Sequence, residues 1–85
     1  MARIRVRKVG KGLHPSEVIV AVATADGGEE NLVVDLRSLE NETLSVGYPI
    51  GQESGRVLVE LPRETLRGLW RVWVSPDMIV GEVAA

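Results

Sequence analysis

The sequence contains no cysteine and no phenylalanine, and its 85 residues include one histidine, one tyrosine and two tryptophans. Without cysteine the chain can form neither a disulfide nor a thiolate metal site. A single histidine cannot build a metal centre or a catalytic group by itself, and its sequence neighbours do not supply the missing geometry. We therefore expect no catalytic residue, no cofactor and no bound metal.

A leader sequence and long apolar runs are also missing. Residues 1–5 lack the apolar stretch of a signal peptide, and no run of apolar residues approaches the length that spans a bilayer. We expect a cytoplasmic protein without a membrane partner. A chain of 85 residues has room for a single domain, 1–85, with one hydrophobic core.

Valine dominates the hydrophobic residues that are present. It occurs 14 times, beside nine glycines and four prolines. Its branched Cβ restricts the side chain in a helix and suits a pleated sheet, so the composition predicts strands joined by turns. Alternation of apolar and polar residues predicts strands at 3–7 and 43–46, and runs rich in valine, leucine and isoleucine predict strands at 17–25, 32–36, 56–61, 69–74 and 78–80. The length and alanines of 17–25 also permit a short helix, but its valines and isoleucine favour a strand. The glycine-containing segments 26–28 and 52–55 predict hairpin turns, and the phase break at Val9 predicts a bulge or a strand end.

The segment 62–67 carries the best helical signal. Pro62 suits a first helical position, Glu64 and Arg67 suit the two ends of the helix dipole, and Gly68 can close the turn with positive φ. These features predict an all-β, mainly antiparallel small barrel with one short helical turn near 62–67. This order resembles SH3-like barrels, which often place a helical turn before the last strand. We prefer that fold to an OB-like barrel or a sandwich.

Charge is distributed unevenly along the chain. The first eleven residues hold five bases and no acid, whereas residues 12–62 hold two bases and nine acids. Strict alternation in 3–7 predicts that Ile4 and Val6 face the core and that the arginines face away. The candidate anion or nucleic-acid surface therefore consists of Arg3, Arg5, Arg7, Lys8 and Lys11. Cross-strand ion pairs with the acidic remainder are the simpler interpretation, since the net charge is −2 and no aromatics interleave the bases.

The two tryptophans are three residues apart, so a strand directs them to opposite faces. Trp70 shares its predicted face with Val72 and Val74, which places it in the core. The candidate interface or ligand surface is the other face and consists of Trp73, Arg71, Leu69 and Tyr48. Tryptophan and arginine are enriched at the hot spots of protein interfaces. The alternative is a half-covered Trp73 that lies under the helical turn.

Several acidic residues also carry predictions. Glu29 and Glu30 follow a glycine turn and are expected in a solvated loop. Asp35 and Glu60 lie inside apolar strands, where a carboxylate must face solvent or find a cation. Their predicted partners are Arg5, Arg7 and Arg71.

The segment 17–25 is apolar on both of its strand faces, and a small domain has few residues to cover the second face. Either a second layer of the same chain or another subunit must cover it. An uncovered patch of that size is unusual for a monomer. The leading hypothesis is therefore a binding or assembly domain that forms homo-oligomers, most simply a dimer. The alternative is a nucleic-acid-binding barrel that uses the basic first strand. A small enzyme with its site at a subunit interface ranks third.

Overall fold

The computed structural model describes residues 2–47 and 49–80, which form ten short strands and two 3₁₀ turns. The strands are β1 Ala2–Arg5, β2 Arg7–Lys11, β3 Glu17–Ala23, β4 Glu29–Asp35, β5 Leu39–Glu40, β6 Thr43–Val46, β7 Gly51–Glu53, β8 Arg56–Glu60, β9 Arg71–Val74 and β10 Ile79–Val80. All strand pairs in these ranges are antiparallel. The prediction of an all-β, mainly antiparallel chain is confirmed.

The strands form three sheets, with the orders β10-β1-β6-β5, β2-β3-β4 and β7-β8-β9. One residue, Val6, separates β1 from β2, and its N–H donates to the carbonyl of Glu42 at 3.0 Å. The first two sheets are therefore joined by a nearly continuous run of extended chain. Across the described residues, the strand ladders do not close into a barrel.

The three sheets enclose one core of small branched side chains. Ile4 and Val6 are buried as the alternation of 3–7 predicted. The remaining strands contribute mainly valine and leucine from alternate positions, including Val20, Leu32, Leu44, Val59 and Val74. Complete burial of such a side chain stabilises the fold by about 1.5–3 kcal/mol. The fold thus rests on many medium-sized contacts, with no phenylalanine at its centre.

The predicted hairpin turns form where glycine allows them. Gly27 has φ +92° between β3 and β4, which pair along the whole length of both strands. Ser54 and Gly55 form the two-residue loop between β7 and β8, with φ of +52° and +76°. Two positive φ values in succession match the twist of a tight hairpin.

The predicted helical turn at 62–67 is wrong. Leu61 N–H donates to the carbonyl of Trp70 at 2.8 Å, which extends the β8–β9 hairpin into this segment. Gly68 has the expected positive φ of +89°, but it closes a turn in which its N–H donates to Thr65. One helical turn fixes several dihedrals for a single hydrogen bond, so these groups bond across the hairpin instead.

The helical segments of the described residues lie elsewhere, as 3₁₀ turns at Leu36–Ser38 and Pro76–Met78. Neither is long and apolar enough to cross a membrane.

The second apolar face of β3 is partly covered by the chain itself. Arg7 lies opposite Ala21 and Glu29 lies opposite Ala23, so the ion pair between Arg7 and Glu29 crosses β3 above two small alanines. Ala21 is consequently buried. Of the two possible covers for this face, the chain itself supplies the one at Ala21, whereas Ile19 and Ala23 are partly exposed.

Candidate functional site

The predicted surface residues Leu69, Arg71 and Trp73 line one open cleft of about 520 Å³. The turn of the β3–β4 hairpin forms one wall, and the outer face of β8 and β9 forms the other. Arg56 and Arg67, which were not among the predicted surface residues, line the same cleft. The fourth predicted residue, Tyr48, lies outside the described residues.

Trp73 is half-buried on the outer face of β9, opposite Leu58 of β8. A Cβ at Gly51 of β7 would make an ordinary van der Waals contact with the Trp73 ring, at 3.8 Å. The Arg56 guanidinium covers the ring at 4.5 Å from its centroid. This cation–π contact contributes about 0.5–1 kcal/mol at an exposed site and more when desolvated. The partial cover of Trp73 therefore comes from Arg56 and not from a helical turn.

Arg56 is a cation without an acidic partner among the described residues. No carboxylate there forms a salt bridge with it, and its Nε is buried without a hydrogen-bond partner. Arg71, on the same sheet face, pairs with Glu60 at 3.4 Å, which confirms the predicted arginine partner of Glu60. That pair is half-exposed and contributes at most about 1 kcal/mol.

The hairpin wall of the cleft is held by backbone bonds. Ala25 N–H donates to the carbonyl of Trp73 at 2.8 Å, which ties the β3–β4 turn to β9. Inside the turn, Asp26 Oδ1 accepts hydrogen bonds from the Thr24 hydroxyl and from Gly28 N–H. Both bonds hold the pKa of the Asp26 carboxyl below its ordinary value of 3.8, and the bond from the Thr24 hydroxyl has the larger effect. These hydrogen bonds fix the conformation of the turn that forms this wall of the cleft.

The loop at 61–70, called here the presenting loop, is fixed by hydrogen bonds centred on Thr65. Thr65 N–H donates to the Leu69 carbonyl at 2.8 Å, and Leu69 N–H donates to the Thr65 hydroxyl at 3.1 Å. Leu66 N–H donates to the carbonyl of Asn31 in β4 at 2.7 Å. The presenting loop is therefore attached both to itself and to the neighbouring sheet.

A buried carboxylate beneath the loop completes this attachment. Glu30 was predicted to be solvated, but its side chain is 3% exposed and belongs to the inward face of β4. It pairs with the Arg67 guanidinium. The Arg67 guanidinium, and after it the Thr65 hydroxyl, hold the pKa of Glu30 below its ordinary value of 4.5, against the opposing effect of burial. Glu30 is therefore an ionised anchor for the presenting loop.

The presenting loop directs three large apolar side chains into solvent. Leu66 is 64% exposed, Trp70 is 53% exposed and Leu69 is 42% exposed. The prediction that Trp70 belongs to the core is wrong. The strand begins at Arg71, so its alternation does not extend to residue 70, and Leu61 and Thr65 are buried at this end of the fold.

The charges that line the cleft are equal in number, but most of them are already paired within the chain. The acids Asp26, Glu29 and Glu30 come from the β3–β4 hairpin, whereas Arg56, Arg67 and Arg71 come from the other side. Glu30 pairs with Arg67, Glu29 with Arg7 and Arg71 with Glu60, so Asp26 and Arg56 are the lining charges without an ion-pair partner among the described residues. Charges arranged in this way can bind a partner that carries the opposite arrangement.

Known proteins give no further indication: no family model, no curated protein and no solved structure matches this chain. In the described ranges, no group of three or more histidine and carboxylate side chains could hold a metal ion. The site must therefore be interpreted from its own geometry.

The predicted basic surface is divided between two roles. Arg3 donates to the hydroxyl and carbonyl of Thr43 and to the carbonyl of Ser38, at 2.7–3.1 Å, and so holds the chain together. Arg7 is paired with Glu29 at 2.8 Å. The exposed members without an acidic partner in the described residues are Arg5, Lys8 and Lys11.

Asp35 has a different partner from the one predicted. It pairs with its near neighbour Arg37 at 3.2 Å instead of with Arg5, Arg7 or Arg71. Its carboxylate also accepts the Arg37 backbone N–H, which caps the first 3₁₀ turn. The charge of Asp35 is therefore balanced within its own turn, and Asp35 does not require a cross-strand partner.

Proposed function

We propose that this chain is a binding and assembly domain that forms a homodimer through the presenting loop and the cleft beside it. The assembly surface consists of Leu66, Leu69, Trp70, Trp73, Arg56 and Arg71. The observation that carries the proposal is a loop fixed by hydrogen bonds and a buried ion pair, which nevertheless holds three large apolar side chains in solvent.

The composition and rigidity of this surface favour binding. Removal of apolar side chains from water favours association, and tryptophan and arginine are among the residues most enriched at interface hot spots. A loop that is already ordered loses little conformational entropy when a partner binds. The hydrogen bonds of Thr65 and the ion pair of Arg67 therefore preorganise the loop for binding.

The charge pattern of the cleft favours a second copy of the same chain. In a two-fold dimer the same patch meets itself, rotated by half a turn. A rotation axis through the cleft can set Asp26, on the hairpin of one protomer, against Arg56 of its partner. Arg56, which lacks an acidic partner among the described residues, would then receive a carboxylate from across the interface.

Size-exclusion chromatography with light scattering tests the dimer. We expect a mass of about twice 9.2 kDa at high micromolar concentration for the native chain. The variant Leu66→Ser/Trp70→Ser should be monomeric, because loss of a hot spot costs about 2 kcal/mol or more, a weakening of roughly 30-fold. Leu13→Ser is the matched control, since Leu13 is 92% exposed outside this surface. A native chain that stays monomeric would contradict the proposal.

The nucleic-acid alternative has less support. Arg3 and Arg7 are bound to groups of the chain itself, and the three remaining bases are few for a phosphate backbone. Titration with single-stranded DNA at low salt separates the two functions. Under this alternative, log affinity falls linearly with log salt, and the triple change of Arg3, Arg5 and Arg7 to alanine abolishes binding.

We also propose that the three sheets form an opened SH3-like barrel. Two bridging hydrogen bonds support this arrangement: Ala25 N–H to Trp73, and Gly47 N–H to the Glu60 carbonyl at 3.4 Å. They lie where a closed barrel would continue its ladders. Slow amide exchange at Ala25 and Gly47 would support the barrel, whereas exchange as fast as at loop tips would contradict it.

A further inference from the structure

The strand β2 has a free edge. It pairs with β3 along one side, and within the described residues no strand pairs with its other side. All five of its residues are exposed. A free edge presents unpaired backbone N–H and C=O groups, to which an extended peptide can add as a new strand.

A bulge gives this edge a defined charge pattern. Lys8 lies opposite Val20 and Lys11 lies opposite Val18, with the register shifted between Lys8 and Gly10. Val18 and Val20 occupy alternate positions on one face of β3, so the two lysines also share a face, at a spacing of about 7 Å. In a regular strand, residues three apart would point to opposite faces. The bulge at Val9 therefore creates the pair.

Neither lysine has an acidic partner in the described part of the chain. The cleft that both lysines line has a volume of about 500 Å³ and is also lined by the exposed apolar residues Leu13 and Leu36. The edge thus offers two cations at alternate positions beside a groove whose walls are mainly apolar and include the Glu17 carboxylate, which is paired with Arg63.

We propose that the free edge of β2 binds an extended, acidic segment of a partner protein by strand addition. Two carboxylates at alternate positions, in an acid-x-acid pattern, would face Lys8 and Lys11. The next side chain on that face would be apolar and would enter the groove at Leu13 and Leu36. Backbone hydrogen bonds supply affinity in this mode, and the side chains on one face supply the selection.

A second copy of this chain does not supply such a segment. The one acid-x-acid pattern in the sequence is Glu40–Glu42. Asn41 and Glu42 there have φ of +51° and +58°, so this segment is a turn and not an extended strand. Exposed lysines and bulges also discourage two identical edges from pairing. The positive charge of Lys8 and Lys11 repels the same edge of a second copy and attracts an acidic segment.

The direct test uses a labelled, end-capped peptide with the sequence Thr-Leu-Thr-Glu-Thr-Glu-Thr, whose leucine meets the groove when the added strand is antiparallel to β2. Fluorescence anisotropy should show binding to the native full-length chain. Lys8→Glu/Lys11→Glu should weaken binding at least tenfold, and it should gain affinity for a peptide in which lysine replaces both glutamates. This charge swap rules out simple misfolding as the reason for the loss.

Two controls make the result specific. Leu66→Ser/Trp70→Ser should bind the acidic peptide unchanged, which separates this proposal from the assembly surface. A peptide methylated on alternate backbone nitrogens should fail to bind, because strand addition needs those N–H groups. Undetectable binding at millimolar peptide, equal binding of the lysine peptide to the native chain, or unweakened binding of the methylated peptide would each overturn the proposal. Single-stranded DNA that binds more tightly than the peptide would also overturn it.

Discussion

The presenting loop and the edge of β2 are both exposed, but they leave different groups free. In the loop, Glu30 and Arg67 pair with each other and anchor the backbone, whereas the apolar side chains of Leu66 and Trp70 are exposed to solvent. At β2, the apolar partners Val18 and Val20 are buried in the core, and Lys8 and Lys11 are left unpaired among the described residues. The first surface suits an apolar interface, and the second suits an acidic strand.

The largest expected change in stability comes from removing the cation beneath the loop. Arg67→Ala leaves the buried Glu30 carboxylate without its main partner, which we expect to cost about 1–3 kcal/mol of unfolding free energy. Urea unfolding at a concentration below dimerisation measures it. Arg37→Ala is the control, because its pair with Asp35 is exposed and contributes at most about 1 kcal/mol. Equal losses of unfolding free energy in both variants would show that the pair with the buried Glu30 is no more stabilising than the exposed pair.

The pH dependence of stability should follow the same anchor. The pKa of Glu30 is lowered in the folded chain, so its contribution is complete above the ordinary value of 4.5 and is lost as the pH falls through the folded value. The pKa values of Asp26 and Asp35 are also lowered, from 3.8, so these two groups should act in the same direction. Urea midpoints between pH 7 and pH 3 measure the decline. Glu30→Gln should flatten it, and an unchanged decline would contradict the anchor.

The smallest effect is expected on the opposite face of the same strand. Glu29 and Glu30 are neighbours, but Glu29 pairs with Arg7 in solvent. Arg7→Ala should therefore cost less than about 1 kcal/mol, even though it uncovers Ala21. The same urea titration measures this loss. A loss of unfolding free energy as large as that of Arg67→Ala would mean that the Arg7–Glu29 pair over β3 stabilises the fold as much as the buried Glu30–Arg67 pair does.

Local features of the fold were predictable from the sequence. The alternation of Ile4 and Val6, the irregularity at Val9 and the positive φ of Gly27 and Gly68 depend on a few neighbouring residues. Steric limits on φ and the two-residue period of a strand determine them, so the sequence pattern is sufficient.

The site could be predicted only in part, because it depends on which strands lie side by side. Leu69, Arg71 and Trp73 were found by alternation, but Arg56 reaches Trp73 through the register of β8 against β9. Glu30 was missed because its burial depends on a loop more than thirty residues later in the chain. Trp70 was misplaced because the position at which a strand begins is set by pairing and not by composition.

The central claim is that the presenting loop is the contact surface between two copies of the chain. A dilution series of amide nitrogen–proton spectra tests it most directly, because each described residue reports separately. The account predicts concentration-dependent shifts at 61–73 and at the β3–β4 turn, with the amides of β2 unchanged. Spectra that do not change with concentration, or shifts centred on β2, would contradict it.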